Sequence, residues 1–282
     1  CLLKLLDEGQ RPTLLHHDID NDSRNLFDWP VTPAYVKAIA DYFDLPLIMS
    51  GRQGGIEGEL RKQDAVSGAY QYGLITSDYK GKANTRRRFP AKTANLQTRW
   101  CSAFLKIDLG HKFIRATYND TSLLFVTGER RQESANRAKY AEFEPHRCNS
   151  QTRQVDHWRP VIDWDEREVW DIIERHGINP HPAYKLGWGR LSCMCCIFGS
   201  NNQWASVRRI APENFDIIAD MEQEFNHTID NKHPITWLAD RGDAYDMNQA
   251  DIDQALSTTY SNPHTDTWQL PAGAFGESNG PS

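Results

Sequence analysis

Cys193, Cys195 and Cys196 fall within four consecutive residues, in Leu191-Ser192-Cys193-Met194-Cys195-Cys196-Ile197-Phe198-Gly199, and make up half of the chain's six cysteines. The C-x-x-C pair Cys193 and Cys196 lets two sulfurs converge on one point, which suits a disulfide, a metal ion or a cluster. Cys101, in Arg99-Trp100-Cys101, and Cys148 stand apart upstream. Four arrangements follow. A zinc site would gather Cys101, Cys193, Cys196 and either Cys195 or Cys148. A cluster held by Cys101, Cys193 and Cys196 would leave one iron open. A redox pair is the third arrangement, and cysteines that merely pack in the core are the fourth.

Charged residues supply the other chemistry. Gly128-Glu129-Arg130-Arg131-Gln132-Glu133-Ser134 is read as joining a strand end to a helix, where two guanidiniums and the Ser134 hydroxyl would hold a phosphate or sulfate. The plainer reading is a surface loop whose arginines pair with Glu129 and Glu133. Asp18, Asp20 and Asp22 alternate as in a calcium loop, but Ser23 and Trp29 stand where Gly and a carboxylate are required. An acidic turn touching a nucleoside through Asp18, or a solvated turn, remains. Arg86-Arg87-Arg88 with Phe89, Lys92 and Arg99 could track a polynucleotide backbone or form a solvated basic loop. His146, His157 and His181 lack metal-binding spacing, and Trp158, Trp164 and Trp170 read as core.

Strands must carry these groups. Pro12 to His17, Leu47 to Ser50 and Ser122 to Thr127 read as strands, and Thr32-Pro33 opens a helix between the first two. Strands separated by helices predict an α/β fold with a parallel sheet flanked by helices, Rossmann-like. Ligands of such sheets bind beyond the carboxyl ends of the strands. Those ends are His17-Asp18, Ser50-Gly51-Arg52 and Gly128 to Arg131, all polar. Asp165 to Glu168 has capping-box spacing, and Pro212 opens a further helix. Residues 54–98 read as a long polar, basic insertion, and the Gly-, Ser- and Pro-rich residues 270–282 as a disordered tail. The expected organisation is a nucleotide-binding domain over 1–206, a helical extension over 207–269, and that tail.

Composition sets broad limits. A formal net charge of -6 argues against indiscriminate coating of nucleic acid, and no apolar run approaches the roughly 20 residues of a membrane span. Six unevenly spaced cysteines do not resemble a secreted disulfide framework, so a cytoplasmic setting is expected. Cys1 to Gly9 reads as the end of an apolar helix, and the natural start is expected upstream.

Taken together, Arg99 to Ile107, Gly128 to Ser134, His157 to Trp164, Val169 to Ile173 and Asn179 to Cys196 resemble, in order and spacing, the phosphoadenosine phosphosulfate (PAPS) reductase family of the adenine nucleotide α-hydrolase superfamily. The resemblance covers roughly residues 1–206. It implies a nucleotide-phosphate loop, Ser-Gly-Gly-x-Asp-Ser, ahead of the first helix, where the present sequence has no residues. Two departures stand out. Nothing after Cys196 is cysteine, whereas thiol-dependent PAPS reductases carry a C-terminal Glu-Cys-Gly-Leu-His. Cys101 is followed by Ser102, where cluster-bearing adenylyl-sulfate (APS) reductases have an adjacent cysteine pair. The pattern is thus closer to sulfur-transfer relatives, including DNA phosphorothioation and tRNA thiolation proteins.

The resemblance then implies an ATP pyrophosphatase that adenylates an acceptor before sulfur displaces AMP. ATP (or PAPS) with Mg²⁺ would be bound through Asp18, Gly128, Arg130, Arg131 and Ser134, with Arg130 and Arg131 stabilising developing charge. Cys101, Cys193 and Cys196 would hold an iron–sulfur cluster, or zinc, or relay sulfur. Partners would be an adenine nucleotide, a sulfur-donor protein or thiol and, through Arg86–Arg88, a nucleic-acid acceptor. Reduction of PAPS or APS with a partner thiol is the main alternative, and a non-catalytic nucleotide sensor or nucleic-acid-binding subunit the third.

Overall fold

The computed structural model describes residues 1–78 and 81–277; Lys80 of the basic stretch and positions 278–282 of the tail lie outside them. Helix α1 (Leu2–Asp7) leads into strand β1 (Leu14–Asp18). Helix α2 (Thr32–Tyr42) crosses to β2 (Leu47–Arg52), which runs parallel to β1 with Leu14 opposite Leu47 and Asp18 opposite Gly51. Pro33 occupies the first turn of α2, where its missing N–H costs nothing, although Val31 rather than Thr32 is the capping residue.

The stretch 54–98, expected as a polar loop, is partly built. It contains α3 (Gly55–Arg61) and a hairpin of β3 (Tyr70–Tyr72) and β4 (Ile75–Ser77) that extends the sheet antiparallel, in the order β1-β2-β3-β4. Its charges conceal the pattern because they are neutralised locally. Glu57 pairs with Arg24 and Arg61, and buried Glu59 with Lys62 and Arg86, while Ile56 and Leu60 enter the core. Gly55 has φ +52°, and a Cβ there would come within 2.2 Å of the Asp20 carbonyl oxygen, so α3 starts where only glycine lets it meet the β1 turn.

A continuous helical stretch follows: α4 (Trp100–Ser102), a π-helical segment (Ala103–Ile107) and α5 (Asp108–Thr117). Strands β5 (Ser122–Val126), β6 (Phe143–Pro145) and β7 (Gln154–Trp158) make a second sheet, β5-β7-β6, with β5 and β7 parallel. The expected parallel pairing is present between β1 and β2, but β5 lies in a separate sheet, where it runs parallel to β7, a strand not expected from sequence; both sheets have antiparallel edges and helices around them. Beyond lie α6 (Glu166–Arg175), α7 (Pro182–Lys185), α8 (Asn201–Ile210), α9 (Pro212–Phe225), α10 (Ile235–Ala239) and α11 (Gln249–Leu256). The Asp165–Glu168 capping box forms as its spacing predicts.

The main core joins Phe27, Trp29, Trp188, Met194, Cys195, Ile197 and Trp204 to Phe215, Met221 and Leu238. Trp29 and Trp188 meet edge-on with centroids 4.8 Å apart, a favoured aromatic geometry. The cysteine loop is therefore fastened to the same core as α9 and α10. Residues 270–277, expected to be disordered, are tied down: the Gly273 N–H donates to the Tyr184 carbonyl (2.7 Å), and the Ser200 hydroxyl donates to Glu277 (2.8 Å).

Candidate functional site

Two segments far apart in sequence meet in one neighbourhood. The first is α4 and its π-helical continuation, carrying Arg99, Cys101 and Lys106; the second is the loop from Trp188 to Gly199. Cys101, Cys193, Cys196 and Lys106 lie close enough to perturb one another's ionisation. Local structure explains the loop. The Cys195 N–H donates to the Phe27 carbonyl (2.9 Å), the Trp29 indole N–H donates to the Ser192 carbonyl (3.0 Å), and the Gly199 N–H closes a turn onto the Cys196 carbonyl (2.8 Å). A Cβ at Gly199 would sit 2.9 Å from the Trp204 indole nitrogen, so the loop packs directly against α8. A π-helical turn resets which side chains share a face and is common at functional sites; here it begins two residues after Cys101 and includes Lys106.

The cysteines sort into different roles. Cys101, Cys193 and Cys196 are partly exposed at the core's edge, whereas the Cys195 side chain is fully buried. Cys148 belongs to another cluster with Ile114 and Val155, which removes it from the four-thiolate arrangement. Burial raises the Cys101 and Cys193 thiols, with Lys106 the largest opposing influence on each. Lys106 is raised in turn, first by the Cys193 sulfur and then by Asp28; it stays an ammonium at neutral pH. Its side chain is exposed to solvent.

Arg99 lies beside the same sulfurs. Its Nε and Nη1 are buried with no hydrogen-bond partner among the described residues. Burial lowers its pKa, and nearby Arg137 and Arg190 lower it further against the pull of Cys101 and Cys196. The guanidinium lies over the Phe198 ring, 5.9 Å from its centroid, and its two idle donors suit an anion. Arg99 was legible only as one basic residue among several, and Lys106 carried no sequence signal beyond lying five positions after Cys101. Both acquire meaning from the fold.

The other expected site residues are engaged by the protein itself. Asp18 ends β1, and its Oδ1 accepts the N–H groups of Asp20 (3.1 Å) and Asn21 (2.8 Å). Buried Asp20 accepts from Phe27 and Asp28 and is pushed up to about 7, chiefly by burial. The loop after β5 forms two short 3₁₀ turns, Arg131–Glu133 and Arg137–Lys139, instead of the expected α-helix; the extended backbone at Ser134 stops the first. Arg130 pairs with Glu133 (3.5 Å) and donates to Gln132 (2.9 Å), while Arg131 pairs with Asp163. The Ser134 hydroxyl accepts the Arg137 N–H (3.2 Å). At Gly128, a Cβ would sit 3.1 Å from that of Cys1. In the basic run, Arg86 pairs with Glu59 and stacks on Trp100, Arg87 pairs with Glu224, and Arg88 is exposed. Two of the three guanidiniums proposed for nucleic acid thus serve the fold.

The donor set of the cleft suits a cluster. Three soft sulfurs face one ammonium and an unsatisfied guanidinium, which offset the charge that thiolates and sulfide introduce. Among the described residues, the trio whose donor atoms all fall within 4.8 Å of one another is His111, His146 and Cys148, not these cysteines. The three cysteine sulfurs do not all lie within that distance of one another. No described helix is long and apolar enough to cross a membrane.

Known proteins share stretches of this sequence. An uncharacterized 37.8 kDa protein of Escherichia phage 186 is 32% identical over 138 residues, 48% of this chain and 40% of that protein. A phosphoadenosine 5'-phosphosulfate reductase of Baumannia cicadellinicola is 31% identical over 83 residues, 29% of this chain and 31% of its own length. An adenosine 5'-phosphosulfate reductase of Neisseria meningitidis is 30% identical over 74 residues, 26% of this chain and 28% of its own length. The chain thus spans less than half the length of these relatives. The phosphoadenosine phosphosulfate reductase domain matches residues 32–198, from α2 to the end of the C-x-x-C loop, and the chain belongs to that family.

Proposed function

We propose that this chain acts on an adenine nucleotide in an ATP pyrophosphatase-type adenylation coupled to sulfur transfer. The observation that carries the reading is the Arg99 guanidinium beside Cys101 and Cys196, whose Nε and Nη1 have no hydrogen-bond partner among the described residues, which puts a cation with idle donors next to sulfur. In the first step an acceptor oxygen attacks the α-phosphorus of ATP, the bond to the β-phosphate oxygen breaks, and pyrophosphate leaves. In the second, a sulfur nucleophile attacks the activated centre and AMP departs with the bonding pair. Arg99 and Arg190, with Arg130 and Arg131 at the rim, hold phosphate oxygens and offset charge as it develops. Asp18 steadies the nucleoside end from the β1 turn. Lys106 keeps the sulfurs' negative charge balanced and orients the incoming anion. Cys101, Cys193 and Cys196 would hold an iron–sulfur cluster, which when bound supplies an open iron for sulfide.

The assay uses the full-length protein with ATP, Mg²⁺ and candidate acceptors; AMP and pyrophosphate support the reading, and ADP with phosphate as the sole products overturns it. A second reading, reduction of PAPS or APS by a partner thiol, draws on the names of the Baumannia and Neisseria relatives. There a thiolate attacks the sulfuryl sulfur and the nucleotide leaves; a second thiol then releases sulfite as a disulfide forms. Sulfite production from PAPS or APS without ATP turnover selects it.

A further inference from the structure

We infer that His111, His146 and Cys148 form a zinc-binding site, separate from the cysteine cleft and independent of the catalytic reading. His111 lies on α5, while His146 and Cys148 lie in the turn between β6 and β7. Their donor atoms all lie within 4.8 Å of one another, with His146 and Cys148 buried and His111 partly so. Tetrahedral zinc, with bonds of about 2.0–2.3 Å, sets its donors roughly 3.3–3.8 Å apart, so closing the site requires a movement of only about 1 Å.

The chemistry is that of zinc rather than magnesium or calcium: two imidazole nitrogens and one thiolate. The rings of His111 and His146 meet edge-on with centroids 5.2 Å apart, and no hydrogen bond occupies the His111 ring among the described residues. The Nδ1 of His146 accepts the Cys148 N–H at 3.2 Å, a long contact that a bound ion would replace. His157, 5.7 Å away between ring centroids, is excluded because Thr127 and Arg159 occupy its two nitrogens. Arg115 and Arg147 approach the histidines and oppose a cation; the Cys148 thiolate supplies the compensating charge. Three protein donors leave the fourth position to water. The ion would fasten α5, the continuation of the helix bearing Cys101 and Lys106, to the second sheet.

Because the cysteine cleft could also take zinc, the test removes it. The combined variant Cys101→Ser, Cys193→Ser, Cys196→Ser, equilibrated with zinc chloride and desalted, should retain one zinc per chain. Adding His111→Ala or Cys148→Ser should reduce retention more than tenfold, and cobalt(II) chloride should give the absorption of a tetrahedral single-thiolate site only while Cys148 is present. Zinc absent from the triple variant, or retained equally after His111→Ala and Cys148→Ser, overturns the site. In the otherwise unaltered protein, His111→Ala should lower zinc content by one equivalent after zinc loading, so the result does not depend on the triple variant folding. An unchanged content there also overturns it.

Discussion

The cysteine cleft and the His111–His146–Cys148 pocket both bring sulfur next to charge, yet they are built in opposite ways. The cysteine site is drawn from segments about ninety residues apart and brings Lys106 and Arg99 beside its sulfurs. The pocket is compact, lies between one helix and one turn, and gathers donors close enough for a single ion. Spacing and surrounding charge, not the presence of cysteine, decide what each can hold. Thiols beside cations suit an anionic cluster or substrate; tightly set neutral imidazoles and one thiol suit a divalent ion.

The largest expected separation between the two is in iron. Cys193→Ser or Cys196→Ser should remove iron and sulfide from anaerobically purified protein and reduce turnover at least a hundredfold, whereas Cys148→Ser should leave iron in place. Equal loss in all three would erase the distinction. Next in size is Arg99→Ala, which should weaken nucleotide or anion binding by roughly tenfold to hundredfold, since a charge-assisted hydrogen bond contributes about 1.5–3 kcal/mol. Titration calorimetry measures this. Arg131→Ala, whose guanidinium is already engaged by Asp163 and the Tyr140 carbonyl, should lose less; a reversed order would move the anion site to the β5 loop.

Lys106→Met should slow alkylation of Cys101 and Cys193 in the metal-free protein by about tenfold, the effect of one pKa unit on thiolate population. Peptide mass spectrometry of timed samples reads it, and identical rates would place the ammonium away from the sulfurs.

The smallest effect is on the pH limits of folding. Burial pushes His16, His17 and His146 down to about 4, so the unfolded chain binds more protons between pH 6.5 and 4. Stability should therefore be present above pH 6.5 and lost as pH falls towards 4, by up to about 1.4 kcal/mol per pH unit for each histidine. The cysteines act at the other end. Their folded-state pKa values are raised from 9.0, so the folded chain holds protons that the unfolded chain has released, and stability declines above pH 9. Melting temperatures of the metal-free protein across pH 4–10 check both limbs; a flat acid limb would mean that these histidines are solvated.

Much of the scaffold was legible in the residues. The parallel pair β1–β2, the proline-led helices and the Asp165 capping box rest on local patterns that the chain satisfies with near neighbours. The hairpin and α3 within 54–98 were not, because Glu57, Glu59, Lys62 and Arg86 look like a solvated run until their mutual pairing is visible. The arginines of the β5 loop show the opposite case, where the fold adds partners that spacing does not reveal. Their spacing suggests an anion site, and the fold pairs them with Glu133 and Asp163, with which a phosphate would compete.

By itself, the sequence determined which residues could do sulfur chemistry and which family they resemble, since residue type and short spacing are covalent properties of the chain. Tertiary structure decided which cysteines share a cleft, that Cys148 sits instead with two histidines, and that Arg99 and Lys106 face sulfur. Those facts depend on burial and on charges brought together across long loops, and neither exists until the core around Trp29 and Trp188 closes.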